Sequence, residues 1–440
     1  MATLIVPDWL VISAGEHPHR GFGLRVVDDR VDVVGPGEEL RANFPNDEVV
    51  EAAGRVALPG FVNTHTHLYG VLAHGIPTEA APAGFESFLV DYWWPYVEDR
   101  LDQDHIAAAT EWMCVEMLAS GTTGFFDILE APAAIPGALA VQREVVERRG
   151  LRATLTFEAT ERKGEANGLL GLAENEGFVL DCLKTDGLVS GAMSFHTTFT
   201  CSEAFIREAF SKAAELDVLC HAHVNEGNHE PEWNLRRHGM RTVEWYEQLG
   251  VLSNRFLASQ VVQVSEQEIR LLAERGVGCS HMPLSNAEVG GGIAPVPELQ
   301  ASGVRVGLGS DGYLNDMYEV MRGAVLFHKA RLADPRVMPA SLVLQMATEG
   351  GASLLGWDEV GRLSPGSAAD LQLVRSDWPT PVTATNLYDQ LVLWRNHSHV
   401  TDVMVAGRWR VRHGEVLDAD VEAIRQRATR EATRLWEQAR

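Results

Sequence analysis

The sequence predicts an α/β protein: a (β/α)8 TIM-like barrel over residues 56–364, with a small β-rich domain built from both chain ends, 1–55 and 365–418. Three observations predict it. Short β-prone runs alternate with helical stretches through the middle of the chain, as parallel βα units require. Eight such runs can be counted, and each ends at a polar residue. The two ends are β-rich and flank this middle, which suggests one discontinuous domain.

Taken in order, Leu24–Val27 and Val31–Val34 flank Asp28-Asp29-Arg30 and read as a hairpin. Val56–Val62 then leads to His65 and His67, Thr122–Phe126 to Asp127, Arg152–Phe157 to Glu158, and Gly191–Phe195 to His196. Val218–Ala222 leads to His223, Phe256–Ser259 to Gln260, Val277–Ser280 to His281, and Val304–Ser310 to Asp311. Polar residues at the C-terminal ends of eight parallel strands place a site on that face. Asp370–Val374 reads as a strand, and Val403–Val411 as a hairpin turning near Gly407. Residues 419–440 carry apolar positions at helical spacing (Val421, Ile424, Ala428, Ala432, Leu435), which predicts a terminal helix.

Composition narrows the function classes. The chain has 440 residues, 45% hydrophobic and 22% charged, with ample apolar material for a large core. A barrel with an accessory domain fits that length, as would two or three ordinary domains. Net charge is -24 and no basic run is present, which disfavours nucleic acid and anionic membrane as partners. Cys114, Cys182, Cys201, Cys220 and Cys279 are scattered, several in apolar runs, and point to a reducing compartment. The first residues lack a basic start, and no apolar run approaches the ~20 residues of a membrane helix. The expectation is a cytoplasmic protein.

Chemistry concentrates at a few strand ends. His65 and His67 are spaced i, i+2, so on a strand both imidazoles point to one side and can reach one ion. His223 supplies a third imidazole, and Glu226, three residues on, can stand beside the ion as a proton shuttle. Asp311, between glycines in Gly309-Ser-Asp-Gly312, can ligate an ion or take a proton from its water. Plainer readings exist for each of these. A histidine pair at a strand end can be a hydrogen-bonded rim. His221 lies one layer deeper than His223 and reads as core, while His397 and His399 read as surface or structural residues. Asp127 and Glu158 can simply close barrel hydrogen bonds. Trp93-Trp94 reads as core, although the long segment after the first strand is where a pocket wall would lie.

With these motifs in place, the chain resembles the amidohydrolase superfamily. Within it, the chain is similar to the branch of purine, pterin and nucleoside deaminases and triazine chlorohydrolases, and most of all to SsnA-type aminohydrolases. The resemblance runs nearly end to end. It is carried by Pro59-Gly-Phe-Val-Asn-Thr-His-Thr-His67, Trp93-Trp94-Pro95, Ser120-Gly-Thr-Thr123, Phe157-Glu158-Ala-Thr-Glu161 and His223-Val-Asn-Glu226. Pro283-Leu-Ser-Asn286, Gly309-Ser-Asp-Gly312, Asn315-Asp-Met-Tyr-Glu319 and Ala369-Asp370-Leu extend it.

The resemblance implies a metal-dependent barrel with a β-sandwich from both chain ends. It implies one divalent metal, zinc in the first instance with iron as the alternative, held by His65, His67, His223 and Asp311. It also implies Glu226 as proton shuttle, His196 as a substrate contact, and a homo-oligomer. One departure stands out: Gln260 occupies the position after the sixth strand where this branch usually has a histidine. Glutamine donates and accepts hydrogen bonds but cannot carry charge or shuttle protons.

The expected activity is hydrolysis of a C–N bond in a small nitrogen heterocycle by a metal-bound hydroxide, an aminohydrolase or deaminase reaction. Glu226 and Asp311 would be catalytic, with His196, Gln260 and Trp93 toward the substrate. The same site could instead displace chloride or open a cyclic amide or ureide. A barrel that binds a ligand without catalysis is the reading from a different class.

Overall fold

A computed structural model describes residues 2–77 and 82–438. The eight predicted runs supply parallel strands, the first of them only from Phe61 onward, arranged in two sheets. Phe61–Thr66, Thr122–Leu129, Arg152–Phe157 and Val189–Gly191 make a four-stranded sheet. Met193–Ser194, Cys220–Val224, Phe256–Gln260, Gly278–His281 and Arg305–Leu308 make a five-stranded one. The fourth run is therefore split between the sheets, at Ala192.

Two seams join them. At one, Thr66 bridges Asp311, and the Ser310 and Asp311 amides donate to the His65 carbonyl at 2.9 and 3.0 Å. At the other, Ala159 bridges Phe195, and the His196 amide donates to the Ala159 carbonyl at 3.1 Å. Residues of these strands are buried nearly throughout. Strands covered on both faces read as continuous apolar runs, which is why the runs were legible.

Helices follow most strands and begin on local signals. Asp102 accepts from the amides of Asp104 and His105, both at 3.1 Å, and starts the helix Gln103–Ala119. Ser265 and Glu268 exchange bonds in a capping box at the start of Glu266–Glu274.

The chain ends meet in one nine-stranded sheet. Its hydrogen-bonded order is Glu415–Val416, Arg408–Arg412, Val400–Val405, Leu371–Arg375, Glu48–Pro59, Thr3–Leu10, Phe22–Val27, Arg30–Pro36, with His19–Arg20 beside Thr3–Leu10. Thr3–Leu10 and Glu48–Pro59 run parallel and the other pairs antiparallel. Both expected hairpins are present. The second turns through Ala406 and Gly407, each at positive φ.

The apolar run Val56–Val62 is not one strand. Pro59 ends the strand that pairs with Leu371–Arg375, and the Gly60 amide donates to the Asp370 carbonyl at 3.0 Å. Phe61 then opens the strand that carries His65. A helix spans Val421–Gln438; residues 439 and 440 of the predicted terminal helix lie outside the described residues. No helix among the described residues is long and apolar enough to cross a membrane.

Candidate active site

Three imidazoles converge at the C-terminal ends of the strands. His65 lies in the Phe61–Thr66 strand and His67 just past it, on the same side. The eighth strand approaches His65 closely because Gly309 has no side chain; a Cβ there would lie 2.7 Å from the His65 Cβ.

A hydrogen bond behind one ring and a carboxylate contact behind another set what they present. His67 Nδ1 donates to the Ile128 carbonyl at 2.6 Å, leaving the Nε2 lone pair 3.3 Å from His223 Nε2. His223 Nδ1 stands 2.6 Å from Glu158 Oε1, so its Nε2 also faces inward. The His65 ring is fully buried, with its centroid 5.0 Å from those of both His67 and His223. Neither of its nitrogens has a hydrogen-bond partner. A buried polar atom without a partner is costly, and a cation among three ligand nitrogens that all lie within 4.8 Å of one another would satisfy it. These donors fit a borderline-soft divalent ion.

Asp311 completes the group. Its backbone is left-handed, with φ 61°. Oδ1 lies 3.4 Å from His67 Nε2 and 3.8 Å from His65 Nε2, and accepts the Gly312 amide at 2.8 Å. Oδ2 accepts from Gln260 Nε2 at 2.8 Å and from Ser285 Oγ at 3.0 Å. Gln260 Oε1 in turn accepts from Asn286 Nδ2. Gln260 also has positive φ, 73°. Strained backbone of this kind gathers at functional sites.

Electrostatics divide the carboxyls into two kinds. Burial alone would raise Asp311, but His65, His67 and His223 outweigh it and hold the carboxyl well below its usual range. Burial likewise opposes Glu158, yet His223 outweighs it and keeps the carboxyl ionised. Glu226 behaves in the opposite way: burial, with the Asp311 carboxylate nearby, pushes it well above the usual range, which favours its protonated form. Burial pushes His65 down to about 4 and His196 to about 3, so both are neutral. His223 differs. Burial opposes its charge, but Glu158 more than compensates and pushes it up to about 9.

The cluster opens into a cavity of about 440 Å³, within the range of small-molecule sites. His67, His223, Asp311, Glu226, His196 and Trp93 all line it. Phe85, Phe88, Tyr92 and Trp93 form an aromatic wall, in which Phe88 and Trp93 stack at 5.7 Å. Part of this wall is a π-helical turn, Phe88–Trp93, a rare conformation often found at functional sites. His196 Nδ1 bonds Thr200 Oγ1 at 2.9 Å, which leaves Nε2 available. Five carboxyl residues line the cavity (Glu98, Glu158, Glu226, Glu288, Asp311), and among the described residues no Lys or Arg does.

Gln260 is 1% exposed and does not line the cavity. Its hydrogen bonds run to Asp311 and Asn286. His221 is core: its two nitrogens meet Ser194 Oγ and Ser259 Oγ, each at 3.0 Å. His397 pairs with Asp316 at 2.7 Å and His399 bonds Asn396, away from the cavity. Asp127 accepts the Leu68 amide at 2.8 Å and steadies the turn just past His67.

Sequence reasoning gave Glu158 too small a part, although its motif was legible. It missed Glu98, whose Oε1 accepts from the Tyr69 hydroxyl at 2.9 Å and which burial pushes up to about 7. It also missed Glu288 and the roles of Ser285 and Asn286, which lie in the noted Pro283–Asn286 motif.

The chain is similar to known proteins along nearly its whole length. Residues 56–410 match the profile of the amidohydrolase family. A 5-methylthioadenosine/S-adenosylhomocysteine deaminase of Desulforudis audaxviator is 35% identical over 426 residues, covering 94% of each chain. A 5'-deoxyadenosine deaminase of Methanothermobacter thermautotrophicus is 34% identical, covering 84% of this chain and 85% of that protein. Among solved structures, an adenosine deaminase from Xanthomonas campestris with bound zinc superposes with a TM-score of 0.87 at 25% identity, covering 98% of each chain. Atrazine chlorohydrolase TrzN from Arthrobacter aurescens, complexed with zinc, gives 0.84 at 23% identity over 98% of this chain and 100% of that one, a likeness of fold.

Proposed function

The chain belongs to the amidohydrolase family, and from that premise we propose that it is a metal-dependent aminohydrolase that deaminates an adenine nucleoside with an uncharged 5' substituent. The observation that carries this reading is the meeting of His65, His67, His223 and Asp311 at the end of a cavity that Glu226 also lines. The two parallel sheets, joined at two seams, are read as one eight-stranded barrel. The sheet of both chain ends is its accessory domain.

His65, His67, His223 and Asp311 would hold one divalent cation, zinc or iron, as the unpartnered His65 nitrogens and the inward-facing Nε2 atoms support. Such an ion supplies a water of lowered pKa and an electrophilic centre. Asp311, ionised and with Oδ1 facing the histidines, accepts the proton of the attacking water. Glu226 delivers a proton to the ring nitrogen beside the reacting carbon, and the proton that Asp311 takes from the water passes on to the leaving amine, which departs as ammonia. His196, neutral and with a free Nε2, hydrogen-bonds the substrate or its developing charge. Glu158 holds the proton on His223 Nδ1 and so keeps Nε2 presented. Trp93 and Phe88 offer flat surfaces for a heterocycle.

The nucleoside assignment rests on the relatives' names together with the cavity's lining. Among the described residues the lining offers no Lys or Arg to pair with a 5' phosphate, which favours an uncharged 5' substituent. Displacement of chloride or ring opening at the same site would release no ammonia.

The test is ammonia release from adenosine, 5'-deoxyadenosine and 5'-methylthioadenosine by zinc- or iron-loaded protein. Release is expected, and Glu226→Gln should retain metal while kcat falls by about 10²–10⁴-fold. Metal-loaded protein that releases no ammonia from any of them would refute the reading.

A further inference from the structure

We propose that Gln260 is a positioning residue for Asp311 and not a contact for the substrate. This inference rests on the reading of Asp311 as a metal ligand and proton acceptor.

The placement is unusual for a residue at a strand end facing a catalytic cavity. Gln260 ends the Phe256–Gln260 strand, yet its side chain is buried and absent from the cavity wall. Left-handed backbone at Gln260 and Val261 (φ 73° and 49°) turns the chain at this point. Both ends of the side chain are used. Nε2 donates to Asp311 Oδ2 at 2.8 Å, and Oε1 accepts from Asn286 Nδ2.

This orientation is over-determined. Rotating the amide by half a turn would set its oxygen against the Asp311 carboxylate and its NH2 against that of Asn286. Ser285 Oγ, from the same short helix as Asn286, gives Oδ2 a second donor at 3.0 Å. Oδ2 is thereby anchored twice, and rotation of the carboxylate is blocked. Oδ1 is left directed toward His67 and His65.

The chemistry of glutamine suits this task. A histidine at this position could gain a proton, and the resulting imidazolium would compete with a cation for Asp311. Glutamine does not titrate, so it holds Asp311 in the same way at every pH and leaves the carboxylate's charge available. The departure from the usual histidine thus preserves the aim of Asp311 while giving up a charged group.

The test uses Co²⁺ in place of zinc, because the visible absorption of bound Co²⁺ reports its ligand geometry. Spectra and affinities, by competition with a chelator, would be compared for the wild-type protein, Gln260→Met and Ser285→Ala. Gln260→Met removes both hydrogen bonds at similar volume; Ser285→Ala removes the second anchor and guards against a folding failure of the first variant. Both are expected to change the spectrum, and Gln260→Met to weaken Co²⁺ binding by about 10–100-fold.

Gln260→Glu adds a charge readout: its carboxylate offers Asp311 Oδ2 no donor and repels it, so the Co²⁺ spectrum should change there as well. Spectra and affinities unchanged in Gln260→Met and Ser285→Ala would overturn the inference while leaving the metal centre standing. Wild-type protein that takes up no Co²⁺ would overturn the metal reading and this inference with it.

Discussion

Glu158 shows how one side chain can set the chemistry of another. Its carboxylate lies 2.6 Å from His223 Nδ1 and decides which nitrogen that ring presents. Glu158→Gln should weaken metal binding by about 10–100-fold with little change in fold, as judged by metal titration and circular dichroism. Undiminished affinity would make Glu158 a bystander. Asp127 gives a test in pH. Burial pushes this carboxyl up to about 7, so the folded protein favours its protonated form. The stability it contributes is complete below the unfolded value near 3.8 and is lost as pH rises through about 7. Asp127→Asn does not titrate there and still offers an acceptor to the Leu68 amide. Wild-type Tm should therefore fall more steeply than that of Asp127→Asn from about pH 4 up to about pH 7, and run parallel to it above that. The residues that would touch the ion were legible because i, i+2 spacing on a strand is a geometric statement in its own right. Glu98 and Glu288 were not legible, because they come from a single 3-10 turn and a short helix whose route across the strand ends has no sequence period.

Elements carry the pocket as much as residues do. The eight strand runs could be read from apolar stretches that end at polar residues. The aromatic wall, Phe85 to Trp93, could not be read in that way, since a π-helical turn follows neither the helical nor the strand period. The terminal helix Val421–Gln438 was legible, but its partner was not. It packs on the helix Gln103–Ala119 and on the turn Leu68–Ala73, which continues from His67 into the cavity wall. Trp436 Nε1 donates to the Leu72 carbonyl at 2.7 Å, and Arg434 pairs with Asp102, the cap of Gln103–Ala119. Trp436→Phe keeps the packing and deletes one bond. A loss of about 0.5–1.5 kcal/mol in unfolding free energy is expected from denaturant titration. No loss would mean that the ring alone secures the turn.

At the scale of the whole molecule, charge and chain path matter most. The net charge of -24 and a cavity lining that, among the described residues, holds no Lys or Arg act in the same direction. Adenosine 5'-monophosphate should therefore be a poorer substrate than adenosine by at least about 10²-fold in kcat/KM at low salt, with the gap narrowing as salt screens the charge. Equal values would remove the electrostatic argument for an uncharged 5' substituent. The path of the chain has a different consequence. Only Gly60 separates the strand Glu48–Pro59 from the strand that bears His65, and Glu48–Pro59 is completed on one side by Leu371–Arg375. During synthesis, then, the early strands wait for residues more than three hundred positions later, with one sheet edge unpaired in the interval. The protein is committed to slow, late closure and to a long exposure to aggregation, a hazard for the nascent chain that the finished enzyme does not share.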